Sequence, residues 1–160
     1  MAVLNLKDCT LAVVDGAAAS IEIIVGEGNF TWDCNFSREY RKNRGKIGTA
    51  NGGTVRDGDD EPMSVSFDVE FEEWTASGAV KTIREMLRNP AGDLTSTDAD
   101  TCAPYACDLT VVHDQGCAAQ TAETLTFPDF RVETIAGDLD AGVLKVSGKC
   151  NAVEPVSSND

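Results

Sequence analysis

The stretch from Pro62 to Glu72 constrains the fold more than any other part of the chain. Val65, Phe67, Val69 and Phe71 alternate there with Ser66, Asp68, Glu70 and Glu72. A period of two is that of a half-buried β-strand, whose successive side chains point to opposite faces of a sheet. One face must therefore close on a core. The other carries carboxylates about 7 Å apart, two residues per repeat. A solvated outer face accounts for such a row, yet neighbouring like charges oppose one another's ionisation, which makes the row unusual on a plain sheet.

Other segments repeat the pattern. Val3, Leu4 and Leu6 open a strand that turns through Lys7 and Asp8 into Leu11–Val14, with a turn at Asp15–Gly16. Ile21, Ile23 and Val25 alternate with Glu22 and Ile24. After Gly26 and Gly28 the apolar parity passes to Phe30, Trp32, Cys34 and Phe36, the mark of a bulge or bend in a curved sheet. Further strands are predicted over Cys107–His113, Glu123–Glu133 with a kink at Pro128, and Val143–Cys150, with turns at Gln115–Gly116 and Gly137–Asp140. The one predicted helix runs from Ala79 to Arg88, capped by Ser77 and ended by Asn89–Pro90. Val80, Ile83 and Leu87 form its apolar stripe, and Lys81, Arg84 and Arg88 a basic one. Residues 91–101 read as a polar loop, and the tail 153–160 is polar and expected to be loose. About seven strands and one short helix define a mainly β class, an antiparallel sandwich or barrel. With 160 residues, a single domain over residues 1–152 is expected.

Arg38 to Glu61 breaks the alternation. It is rich in glycine and asparagine, and Ile47 and Val55 are nearly its only aliphatic residues. Its first nine positions, Arg38–Lys46, hold five of the thirteen basic residues: Arg38, Arg41, Lys42, Arg44 and Lys46. After Arg56 its end is acidic, with Asp57, Asp59 and Asp60. Loops this long are uncommon in compact domains and are usually functional or disordered. A mobile surface loop is one reading; an arm at 38–60 that orders only against a partner is the other.

Charge and composition exclude several functions. The 27 acidic and 13 basic residues leave a formal net charge of −14, so the chain lacks the basic footprint through which proteins gain affinity for nucleic acid by counterion release. No basic, apolar signal segment precedes the first strand, and no apolar run is long enough to span a membrane, so a cytoplasmic origin is expected and no membrane binding. The single histidine, His113, falls on the apolar parity of its strand and lacks catalytic partners, so a packing role is expected. Cys9, Cys34, Cys102, Cys107, Cys117 and Cys150 do not show zinc-ribbon spacing. Buried thiols in a reducing compartment lead, ahead of disulfides formed after release and of a metal site. Gly26-Glu-Gly28 lacks the rest of a phosphate-binding pattern, and Asp57–Glu61 lacks the ligand spacing of a calcium loop. The carboxylates single out no glycosidase pair. No catalytic residue, cofactor or metal is expected.

Ordered runs along the chain resemble a known family. Gly26-Glu-Gly-Asn-Phe-Thr-Trp32, Glu39-Tyr-Arg-Lys-Asn-Arg-Gly45 and Thr54-Val-Arg-Asp-Gly-Asp-Asp-Glu-Pro62 look like the first half of a tail tube protein from a long-tailed bacteriophage. Cys102-Ala-Pro-Tyr-Ala106, Thr126-Phe-Pro-Asp-Phe-Arg131 and Val146-Ser-Gly-Lys-Cys-Asn151 resemble the second half in the same order, so the resemblance spans roughly residues 20–152. Cys107 departs from it, standing where an aliphatic residue is expected. The resemblance implies a virion protein, made in a bacterial host, whose hexameric rings stack into a tube for double-stranded DNA. It also implies tape measure, tail tip and tail terminator proteins as partners. An inner sheet would join neighbouring copies into a continuous barrel. Six copies giving about four strands each, at about 4.8 Å per strand, make a circumference above roughly 115 Å and a diameter of roughly 37 Å, enough for a duplex. Within that frame Asp68, Glu70 and Glu72 are the candidate lining of the bore. Arg38, Arg41, Lys42, Arg44, Lys46, Arg56, Asp57, Asp59 and Asp60 are the candidate contact between rings. Two alternatives stand beside it: the inner tube of a contractile injection or secretion machine, and a monomeric sandwich that binds a ligand through the 38–60 loop.

Overall fold

Alternation on one strand after another becomes two β layers facing a shared core. The computed structural model describes residues 9–23, 25–41, 54–78, 80–113 and 123–158. The strands are β1 (Cys9–Val14), β2 (Ser20–Ile23), β3 (Val25–Asn35), β4 (Arg38–Arg41), β5 (Thr54–Asp57), β6 (Glu61–Glu70), β7 (Cys107–His113), β8 (Glu123–Asp138), β9 (Val143–Lys149) and β10 (Val156–Ser157), with one helix, α1 (Ile83–Arg88), between β6 and β7. The hydrogen-bonded path runs β2-β1-β7-β8-β9-β6-β3, all antiparallel, with β10 added to β8; β4 and β5 form a separate ribbon. β2 and β3 end the path unpaired with each other, so the sheet stays open. The residues before β1, where a first strand is expected, lie outside the described residues, as do Gln115–Gly116, Cys117 and the middle of the arm.

β8 turns one sheet into two layers. Its first half pairs with β7 from Glu123 to Phe130, and its second half pairs with β9 from Arg131 to Asp138. Between them Pro128 cannot donate a ladder hydrogen bond, and Asp129 sits at φ 50°, in the left-handed region that few residues other than Gly, Asn and Asp adopt. Asp129 is held there from both sides: its N–H donates to Asp108 Oδ1 at 2.9 Å, and its own Oδ1 accepts from Thr97 Oγ1 at 2.8 Å. The kink read at Pro128 is therefore a corner, and the strand runs on to Asp138 beyond the expected Glu133.

The corner folds the first layer (β2, β1, β7, the start of β8, β10) over the second (the end of β8, β9, β6, β3). Leu11, Val13, Leu109 and Phe127 from one side meet Phe30, Val65, Phe67, Val69, Leu144 and Val146 from the other, all buried. The aromatic rings join the layers: Phe30 meets Phe127 edge-on at 5.2 Å and stacks on Phe67 at 5.8 Å, and Phe67 lies 6.0 Å from Phe130. Each such side chain contributes about 1.5–3 kcal/mol on burial. Cys107 and Cys150 belong to this core, and burial pushes each thiol up to about 12, with Asp108 adding to both. Cys34 is half-buried, Cys102 is exposed, and none of these four is in a disulfide. His113, at the end of β7, is buried as its parity predicts.

Of three local expectations, one holds and two change. The glycines of β3 do produce an irregularity: between the pairs Val25–Val69 and Phe30–Phe67, β3 advances five residues against two on β6. The helix begins at Ile83, not Ala79, and its cap is Thr82, not Ser77. Thr82 Oγ1 accepts from Glu85 N–H, while Glu85 Oε2 accepts from Thr82 N–H at 2.9 Å, a reciprocal box that satisfies two end donors at once. Val80 is left 76% exposed, and Met86 and Leu87 are the buried residues of the helix. The tail is not loose at its centre: Val156 and Ser157 pair with Thr126 and Leu125, and Ser158 N–H donates to Thr124 O at 2.9 Å. The first half of β8 has an open side there, and the short strand covers it.

The long loop between α1 and β7 is fixed by buried or half-buried carboxylates. Asp15, 4% exposed, accepts from Ala17, Ala19 and Thr95 N–H groups, tying the β1–β2 turn to the loop. Asp98 pairs with Arg131 of β8 and accepts from Asp100 N–H at 2.9 Å. The Asp100 N–H first, and the Arg131 guanidinium next, hold its carboxyl below the usual range. Two outcomes follow. Protons bind the unfolded chain first near pH 4, so the contribution of Asp98 is full above that pH and is lost as pH falls through its lowered folded value. Urea unfolding across a pH series should therefore find Asp98→Asn less stable than wild type at pH 7, with the gap closing towards pH 2. Separately, a Cβ at Gly148 would lie 2.1 Å from Arg131 O and 2.8 Å from Phe130 Cζ. Gly148→Ala should cost roughly 2–3 kcal/mol or more in the same assay.

Candidate functional site

The second layer presents its outer face away from the core. Register assigns that face across four strands: Asp33 stands opposite Ser64, Thr31 opposite Ser66, Asp68 opposite Lys145, and Glu70 opposite Val143, with Asp138 beyond. Asp68 and Glu70 thus fall on one face, as their alternation requires. Glu72 lies past the end of β6, exposed. Asp68 is half-buried and accepts from Asn29 Nδ2 at 2.9 Å. Three basic residues that the reading of β6 alone missed share the surface: Lys145 and Lys149 on β9 and Arg131 on β8. Arg131 is drawn aside to Asp98 and to Pro104 O. Four carboxylates against the two remaining lysines leave the face acidic by two charges, far less than a bare row on β6 suggests.

The arm rises from the opposite end of β6. Asn35 pairs with Glu61 at the start of that strand, and the ribbon follows at once. Within it the register sets Arg38 opposite Asp57 and Glu39 opposite Arg56. Arg38 also lies 3.8 Å from Asp60 Oδ1 and 5.6 Å from the Phe36 ring centre, and Ser37 N–H donates to Asp60 Oδ1 at 2.8 Å. Part of the expected basic-to-acidic complementarity is thereby met inside one copy, at the base of the arm. Arg41 and Arg56 lie in the ribbon and Asp59 follows it exposed, while Lys42, Arg44 and Lys46 lie outside the described residues.

At the far end of β6 a groove of about 240 Å³ opens between β2, the exit of β6 and the approach to α1. Ile21, Ile23, Val69 and Ile83 supply apolar walls, with exposed Val80 among them. Glu22, Glu70, Glu72 and Glu73 line the same groove. Its one lysine, Lys81, is hydrogen-bonded to the Asp93 carboxylate. Glu22 and Glu73 were not singled out from sequence, because nothing local tells that β2 comes to lie beside the end of β6. Among the described residues no group of acids, cysteines and histidine is arranged to hold a metal ion.

No protein-family model matches the chain, and no curated protein matches its sequence. Solved structures do match. A chain in the sheath/tube terminator of the PVC extracellular contractile injection system, in its extended state, superposes with a TM-score of 0.60 at 7% identity, over 99% of this chain and 98% of that one. A chain of the anti-feeding prophage baseplate gives 0.53 at 10% identity, over 98% and 95%. A chain of the extended PVC sheath–tube complex gives 0.52 at 8% identity, over 92% and 87%. At such identities the likeness is one of fold, and it spans most of each chain: this open, two-layered β fold is shared with chains of an extracellular contractile injection system and of the anti-feeding prophage baseplate.

Proposed function

We propose that the chain is a structural subunit of a phage-tail-like tube, assembling head to tail into rings that stack. The observation that carries this reading is the whole-length likeness of fold to chains from sheath–tube, terminator and baseplate assemblies. The second layer has the edges such a ring needs. β3 ends the sheet on one side, and on the other no described strand pairs with the outer side of β8 from Arg131 to Asp138. Unpaired edges recruit strands, and a heterologous edge-to-edge contact closes into a ring when its rotation permits. Four strands from each of six copies give the circumference of roughly 115 Å already reckoned from strand spacing.

In this reading the outer face of the second layer lines the bore, with Asp68 within the wall and Glu70 and Glu72 at its rim, where one ring meets the next. Six copies carry 84 net negative charges at −14 each. A wall with an excess of carboxylate gives a passing duplex little counterion release and so little adhesion. The arm, with Arg38, Arg41, Lys42, Arg44, Lys46, Arg56, Asp57, Asp59 and Asp60, serves contact between rings. Terminator, tip and tape-measure components are the partners, the assembled tail particle is the location, and no catalysis or cofactor is involved. The matched structures favour a second version, a tube or terminator subunit of a contractile injection system, which shares the ring but differs in cargo.

Sedimentation velocity over a concentration series, with negative-stain microscopy of the same samples, should show concentration-dependent six-fold rings or hollow tubes. Monomers throughout, with residues 38–60 already protected from hydrogen exchange, would contradict the proposal and favour a monomeric binding module.

A further inference from the structure

The structure assigns a receiving site to the arm: we infer that the groove between β2, the exit of β6 and α1 takes the basic segment 38–46 of a second copy in the adjoining ring. This rests on the reading of the chain as a stacking ring subunit and names the surface that reading leaves open. Three observations carry it. The arm and the groove stand at opposite ends of β6, which pairs with Asn35 at its start and reaches Glu70 at its end. A 10-residue strand spans about 33 Å, so copies related along that strand bring the arm of one towards the groove of the next. Second, the charges match: Glu22, Glu70, Glu72 and Glu73 are all exposed, while Arg41, Lys42, Arg44 and Lys46 follow Arg38, which is itself engaged by Asp60 at the base of the arm. Lys81 is engaged by Asp93 and leaves the glutamates to an incoming cation. Third, the groove is apolar between its acids and includes Val80 at 76% exposure. The arm brings Tyr40 and Ile47 among its basic residues. Twenty residues from Arg38 to Asp57, doubled back on themselves, reach at most about 33 Å, enough to cross a ring boundary.

The contact is heterologous, with an arm and a groove on every copy, so it repeats along the stack without closing. It also differs from the edge pairing that closes each ring, and the two can be separated. A photo-crosslinking residue placed at Val80 in the full-length protein should, in assembled material, link to residues 38–53 of another copy when the products are mapped by mass spectrometry. Glu72→Lys with Glu73→Lys should leave rings but raise the concentration needed for tubes by about tenfold or more. Arg41→Glu with Lys42→Glu, added to that variant, should bring the tubes back. Tubes that form normally from the Glu72→Lys, Glu73→Lys variant, or crosslinks from Val80 to any other segment, overturn the groove assignment while leaving the tube reading intact. A wild-type protein that stays monomeric with residues 38–60 already protected from hydrogen exchange overturns the tube reading, and the groove assignment with it.

Discussion

One corner in one strand sets the rest of the architecture. Where Pro128 interrupts the ladder and Asp129 takes a left-handed conformation, β8 leaves its pairing with β7 and continues in a pairing with β9. A flat sheet in this order would expose the apolar sides of both halves. With the corner, Phe127 just before it and Phe130 just after it both turn inward, and Phe30 and Phe67 of the facing layer pack against them. Asp108 and Thr97 fix Asp129 by hydrogen bonds from β7 and from the long loop, so the corner is tied into both neighbouring elements. Gly148 is its counterpart on β9, leaving room for Arg131 O and the Phe130 ring.

The same bend distributes charge. It brings β9 beside β6, setting Lys145 opposite Asp68, and it places the arm and the groove at the two ends of the second layer. A chain with 27 acids and 13 bases could repel its own copies everywhere. Along β6, Arg38 stands at the arm end, beside Asp60, and exposed Glu70, Glu72 and Glu73 stand at the groove end.

Much of the fold was legible in the residues. The alternation of Val65, Phe67 and Val69 set the inward face of β6, the glycines of β3 announced its irregularity, and the parity of His113 announced its burial. What stayed hidden was tertiary. Nothing local tells that Lys145 stands beside Asp68, because strand pairing depends on a register chosen by the whole core. The pairing of the tail is hidden for a similar reason: Val156 pairs because β8 has an open side there. The helix start is different, since Thr82 and Glu85 spell out a capping box in the sequence itself, and a stripe carried back to Val80 sets the start too early. Of the groove, Glu70 and Glu72 already stand out in the alternation of β6, whereas Glu22 and Glu73 join it only through folding.

Cryo-electron microscopy of an assembled tube tests the central claim most directly. The account predicts rings whose bore is lined by the outer face of the second layer, with Asp68 and Lys145 directed inward and strand edges β3 and β8 paired between neighbouring copies. A tube in which that face lies on the exterior, or in which β3 and β8 meet no neighbour, would contradict it.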